Sequence, residues 1–376
     1  MATECMMNSG RDSTQRVEFG CSEESMVPEK FVWPDEFKPK EGLPELQVPH
    51  IDLQKFLSGN QSDIEETIRL VDEACKKHGF FLLVNHGVDM ELVKKLHECM
   101  EEFFTFPLDV KQKAQRKFGE NFGYANSFIG RFSNKLPWKE TLSVPYVADH
   151  QKSTAHDFIF QIYGNELSHH GKVYQECGEV LSELGLKIVE LLGLCLGVPK
   201  EKFRKIYEDN ESIMRLNYYP PCEKPELTLG TGPHCDPTSI TILHQDHVSG
   251  LQVYVDDEWH TIPPTTDSFV INIGDTFMAL TNGVYKSCLH RAVVNCKESR
   301  KSMAFFLNPA ADKVVRAPDE VVEKNPPRKF PDFTWPMLLE LTQKFYRSDS
   351  NTLKAFIPWL EEQQKLAKDT NTAPPL

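Results

Sequence analysis

"SIMRLNYYPPCEKPELTLGTGPHCDPTSITILHQDHVSGLQVYV" (residues 212–255) decides the fold. Short apolar or alternating runs are broken by Pro, Gly, Asp and Ser. The pattern continues through "EWHTI", "SFVINIG", "TFMAL", "SCLHRAVVN" and "KSMAFFL" to residue 307. Short strands at regular spacing build a sandwich or a barrel. Helices precede them. In "QSDIEETIRLVDEACKK", Ser62 and Glu65 read as a capping box, and Ile64, Ile68, Val71 and Cys75 recur at helical spacing. Gly79 stops that helix, and "FFLLVNHGV" reads as a buried strand. A second helix, "ELVKKLHECMEEFFTF", ends before Pro107, and a core-facing stripe of a third runs from Val173 to Cys195. The fold class expected is therefore α+β. A double-stranded β-helix (jelly-roll) core carries a mainly helical N-terminal layer and C-terminal helices.

Working outward, residues 1–40 read as a flexible tail with a possible anchor at "FVWPDEF". Residues 41–205 form the helical region, 206–310 the jelly roll, and 311–376 a proline-rich, then helical, C-terminal segment. There are 42 basic and 55 acidic residues, a net charge of −13, which argues against a nucleic-acid partner. Such an acidic surface favours a soluble monomer. No signal peptide or membrane span is evident. The ten cysteines lack a C-x-x-C pair and read as reduced packing thiols, so the expected compartment is the cytoplasm.

The strand-rich half holds three polar pairs one residue apart: Asn217/Tyr219, His234/Asp236 and Arg300/Ser302. Positions i and i+2 of a strand share a face, so each pair can point into the barrel interior. Buried charges without partners cost several kcal/mol (~2–7 for unpaired polar groups), so inward Asp and Arg need a metal or an anion. With His290, the His234–Asp236 step offers two imidazoles and a carboxylate, which suits non-haem Fe(II) with open positions, or zinc. Arg300 presents a rigid fork for a carboxylate, with the Ser302 hydroxyl beside it, and Tyr219 can donate to the same group. An open metal beside a carboxylate clamp suits a chelating 2-oxo acid. Each residue taken singly has an ordinary structural explanation; the combination favours the site. His244, His247 and His260 read as loop or surface residues.

"LNYYPPC", "GPHCDPTSITILHQD", "INIGDTFMALTNGVYKSCLHRAVVN" and "RKSMAFF" resemble the plant 2-oxoglutarate- and Fe(II)-dependent dioxygenases, over about residues 43–310. The resemblance implies His234, Asp236 and His290 as iron ligands. It also implies Arg300 and Ser302 on the distal carboxylate of 2-oxoglutarate, with Tyr219 and Asn217 beside them. "NYYPPC … LGTGPHCDPTS" with "GRFSNKLPWKETLS" (130–143) is similar to the gibberellin 20-oxidases. That likeness implies repeated oxidation of twenty-carbon diterpenoid acids at carbon 20, ending in carbon loss and lactone formation, with O2 as co-substrate and ascorbate as a further requirement. In the substrate segment, Leu136 and Trp138 are expected to offer apolar surface, and Lys139 or Arg131 a cation. Rival readings are another gibberellin oxidase (a 2- or 3-oxidase), a non-catalytic hormone-binding protein of the same fold, and a zinc hydrolase. The last gives no reason for Arg300 and Ser302.

Overall fold

The computed structural model describes residues 27–117, 119–126, 135–149 and 151–371, the last six of these by backbone only. Twelve strands build two facing sheets. In chain order they are β1 (His50–Asp52), β2 (Phe80–Val84), β3 (Gly123–Asn126), β4 (Glu140–Val147), β5 (Glu211–Tyr219) and β6 (Thr231–His234). They continue as β7 (Ile240–Gln245), β8 (Leu251–Val255), β9 (Glu258–Ile262), β10 (Phe269–Ile273), β11 (His290–Ala292) and β12 (Arg300–Leu307). The major sheet runs β1-β2-β10-β7-β12-β5-β4-β3 and the minor sheet β6-β11-β8-β9. Only the β1–β2 pair of these sheets is parallel. This is the expected jelly roll, but its major sheet is widened by four strands from before residue 205.

Helices cover the outer face of the major sheet. They are α1 (Leu53–Leu57), α2 (Gln61–Lys77), α3 (Met90–Thr105), α4 (Leu108–Gln112), α5 (Thr154–Tyr163), α6 (Ser168–Cys195) and α7 (Lys200–Tyr207). One continuous core joins Met100 and Phe103 of α3, Leu184 and Ile188 of α6, and Met303 and Phe305 of β12. The close approach of α6 rests on small residues. A Cβ at Gly185 would lie 3.3 Å from the Leu307 methyls, and one at Gly178 would lie 2.4 Å from the Tyr146 ring. Odd-numbered members of β12 such as Met303 and Phe305 therefore pack outward on helices, while Arg300 and Ser302 face the minor sheet.

Two local expectations change, and the anchor read at "FVWPDEF" is found in place. The cap of α2 is Asn60, whose side chain accepts from the Asp63 amide at 3.2 Å, so Ser62 lies inside the first turn. "TFMAL" is not a strand but the helix α8 (Asp275–Leu280). Short apolar runs are ambiguous between buried strand and buried helix, and here β10 ends at Ile273 and the Gly274 carbonyl accepts from the Met278 amide. Residues 27–40 are anchored: Phe31 and Trp33 are buried, and the Trp33 ring lies where a Cβ on Gly232 would sit. After β12 come α9 (Asp319–Lys324), α10 (Trp335–Lys344) and α11 (Thr352–Asn371). No helix among the described residues is long and apolar enough to cross a membrane.

Candidate active site

The two sheets enclose a cavity of about 290 Å³. The antiparallel β6–β11 pair sets His234 directly opposite His290, with ring centroids 4.3 Å apart. Asp236, just past the end of β6, turns its carboxylate toward both. His234 Nε2 is 3.5 Å from Asp236 Oδ1, and His290 Nε2 is 3.7 Å from Oδ2. The Nδ1 atoms face backbone carbonyls, Gly232 O at 2.9 Å and Cys288 O at 3.1 Å. A carbonyl only accepts, so in each ring Nδ1 carries the proton and Nε2 presents its lone pair. Asp236 Oδ2 in turn accepts from Thr241 Oγ1 at 2.7 Å and from Asn272 Nδ2 at 3.0 Å. Burial works to raise the Asp236 pKa, but the positive charge of the His290 and His234 rings in their protonated form, with the Asn272 amide, outweighs it and holds the carboxylate well below its ordinary value. The result is three converging ligand atoms within 4.8 Å of one another, already oriented from behind.

The polar pairs on β5 and β12 meet across the ladder. Arg300 is opposite Tyr219, and Ser302 opposite Asn217. Asn217 Nδ2 donates to Ser302 Oγ at 3.3 Å. Arg300 is 2% exposed, its guanidinium lies 5.0 Å from the Tyr219 ring centre, and Nη2 donates to Gln245 Oε1 at 2.7 Å. Its Nε is buried with no hydrogen-bond partner. A buried donor left unmade costs about 1–3 kcal/mol, so this guanidinium is set up for an acceptor that enters the cavity. Space for it is kept by Gly250, where a Cβ would stand 2.8 Å from Arg300 Cδ and from Val293 O. The donor set thus fits both groups: imidazoles and a carboxylate for a divalent iron, and an orphaned guanidinium edge for a carboxylate.

The substrate segment is split by the structure. Lys139 lines the cavity, yet its Nζ donates to Thr231 Oγ1 at 2.9 Å and to Asn217 Oδ1 at 3.4 Å, beside the Tyr219 hydroxyl. It sits at the Arg300 end. Trp138 and Leu136 do not line the cavity; they are packed with Phe31, Cys222 and Val294, and Trp138 meets Phe31 edge-on at 5.1 Å. Strand entry explains this: the Trp138 amide bonds to Leu229 O and its Nε1 to Pro221 O, which turns the indole away from the interior. Arg131 lies outside the described residues. His244 is not a loop residue. It lies in β7, half-buried, with Nδ1 2.8 Å from His97 Nε2 of α3, whereas His247 is exposed.

Several lining residues escaped the sequence reading. The far end of the cavity is formed by Arg215, Phe306, Trp335, Leu339 and Gln343. Arg215 was legible, since it continues the inward series Asn217–Tyr219 by one more i−2 step. The contribution of α10 was not, because nothing local says that a helix folds back over the barrel mouth. Gln343 Nε2 ties it to Asn121 Oδ1 at 2.5 Å.

Comparison with known proteins agrees with this geometry. Residues 210–309 match the 2OG-Fe(II) oxygenase superfamily, and residues 48–161 match the N-terminal region of non-haem dioxygenases in morphine synthesis. Gibberellin 20 oxidase 2 of Arabidopsis thaliana is 59% identical over 90% of this chain and 88% of its own length. Gibberellin 20 oxidase 1-B of Triticum aestivum is 53% identical over 90% of this chain and 93% of its own. Among solved structures, JOX2 in complex with 2OG, Fe and JA superposes with a TM-score of 0.78 at 31% identity, covering 89% of this chain and 95% of that one. The chain belongs to the 2OG-Fe(II) oxygenase superfamily and, within it, to the family of the gibberellin 20-oxidases.

Proposed function

We propose that this chain oxidises twenty-carbon gibberellins at carbon 20, in successive steps ending in carbon loss and lactone formation. In this reading His234, Asp236 and His290 hold Fe(II). Arg300 and Ser302 hold the distal carboxylate of 2-oxoglutarate, with Tyr219 and Asn217 shaping that end. The bound iron and 2-oxoglutarate supply the activation of O2 that an unreactive C–H bond requires, and ascorbate keeps the metal reduced. The chain's own residues bind, orient and exclude. Thr241 and Asn272 hold the Asp236 carboxylate in one orientation, and Gly232 O and Cys288 O fix the two imidazole tautomers. Lys139 keeps positive charge beside Tyr219 at the co-substrate end. Phe306, Leu339 and Trp335 give the other end apolar walls, with Arg215 as the cation for a diterpenoid carboxylate. The enzyme works as a cytoplasmic monomer.

The observation that carries this reading is that one cavity is lined at once by the triad, by the Arg300–Ser302 pair and by an apolar end carrying Arg215. The test is product analysis by mass spectrometry after incubation with several gibberellins, Fe(II), ascorbate and 2-oxoglutarate. Carbon-20 alcohol, aldehyde and lactone products are expected. Hydroxylation at carbon 2 or carbon 3 alone would place the chain with another gibberellin oxidase instead.

A further inference from the structure

A second group of metal-binding side chains lies on the opposite side of the major sheet. Cys99 and Glu102 stand one turn apart on α3, and His169 and His170 open α6. The ligand atoms of Cys99, His169 and His170 lie within 4.8 Å of one another. Glu102 Oε2 is 3.4 Å from Nε2 of both histidines, whose rings are 4.1 Å apart. None of the four lines the active cavity.

His170 is the telling member. It is fully buried against Phe106 and Tyr174, with the Cys99 carbonyl beside it and Nε2 3.4 Å from Glu102 Oε2, yet neither ring nitrogen reaches well-formed hydrogen-bond geometry. A buried imidazole used only as packing would more cheaply be an apolar ring, since each unmade bond costs about 1–3 kcal/mol.

We propose that Cys99, Glu102, His169 and His170 form a second divalent-cation site, one that takes Zn²⁺ and clamps α3 to the start of α6. One sulfur, two imidazoles and one carboxylate make a closed tetrahedral set of the structural zinc type. With zinc bonds of about 2.0–2.3 Å, donors in a tetrahedron stand roughly 3.3–3.7 Å apart, and the two Glu102–histidine separations already match. Glu102 stands outside the 4.8 Å group that Cys99 forms with the two histidines, so the half-exposed carboxylate and the exposed His169 must swing toward the sulfur to complete the set. A thiol ligates zinc only as the thiolate, so zinc binding releases the Cys99 proton.

The test uses Co²⁺ as a spectroscopic stand-in on the full chain. The His234–Asp236–His290 triad contains no sulfur ligand, so a thiolate-to-cobalt charge-transfer band that Cys99→Ser removes reports the second site. Expected are two equivalents of bound Co²⁺ with that band, and competition by Zn²⁺. Cys99→Ser should remove the band and one equivalent while the gibberellin reaction stays intact. His169→Gln changes a mostly exposed side chain that folding does not need, and it should weaken cobalt binding at this site at least tenfold. A missing band in the wild-type chain, or a band and stoichiometry indifferent to both substitutions, overturns the proposal.

Discussion

Arg300→Lys separates a co-substrate clamp from a structural charge. Arg300 is almost fully buried on β12, with Nη2 committed to Gln245 and Nε free of protein partners. A lysine keeps the charge but presents a point, so it can serve Gln245 or an incoming carboxylate, not both in the planar two-pronged way. A hydrogen bond to a charged group contributes about 1.5–3 kcal/mol, which is about one to two decades in affinity. The KM for 2-oxoglutarate should therefore rise roughly 10- to 100-fold. Iron affinity should stay unchanged, because no triad atom contacts the guanidinium. At saturating 2-oxoglutarate most of kcat should return. The assay is 2-oxoglutarate decarboxylation across a concentration series, with metal content and Tm measured on the same preparation. An unchanged KM together with a lower Tm would refute the reasoning, since Arg300 would then be a structural charge held by Gln245.

Asp236→Ala should abolish iron retention and turnover while leaving the chain folded. It strands the donors of Thr241 and Asn272, so a stability loss of about 1–3 kcal/mol is expected by chemical denaturation; retained iron would defeat the triad. Trp138→Ala should cost about 3–5 kcal/mol of stability and change gibberellin and co-substrate KM equally, because the indole is packed against Phe31 and not in the cavity. A selective rise in gibberellin KM without a fall in Tm would reverse that assignment. Burial lowers the pKa of His97 to about 3 and of His244 to about 4; repulsion with His244 and Lys301 adds to this at His97 and with His86 at His244, where Asp267 works the other way. The unfolded chain then binds more protons below about pH 6.5, so stability falls as pH drops from there toward 4. Denaturation midpoints should show this slope, and His97→Leu should lessen it.

The sequence by itself determined what repeats with a period. Alternation in β5 and β12 put Asn217, Tyr219, Arg300 and Ser302 on one face, because side-chain parity is a property of any strand and needs no tertiary information. His234 and Asp236 were legible for the same reason, and helices α2, α3 and α6 were visible in their apolar spacing. What failed was local and ambiguous, or long-range. "TFMAL" is too short for period to choose between strand and helix. Asn60 outcompeted Ser62 as the cap only because the chain enters α2 from the turn before it. Only the tertiary structure decided which residues meet. It carried α10 across the barrel mouth, buried Trp138 while leaving its neighbour Lys139 in the cavity, and drew Cys99 to His170 across 70 intervening positions of chain. Those contacts depend on how whole elements pack against one sheet, and no window of sequence contains both partners.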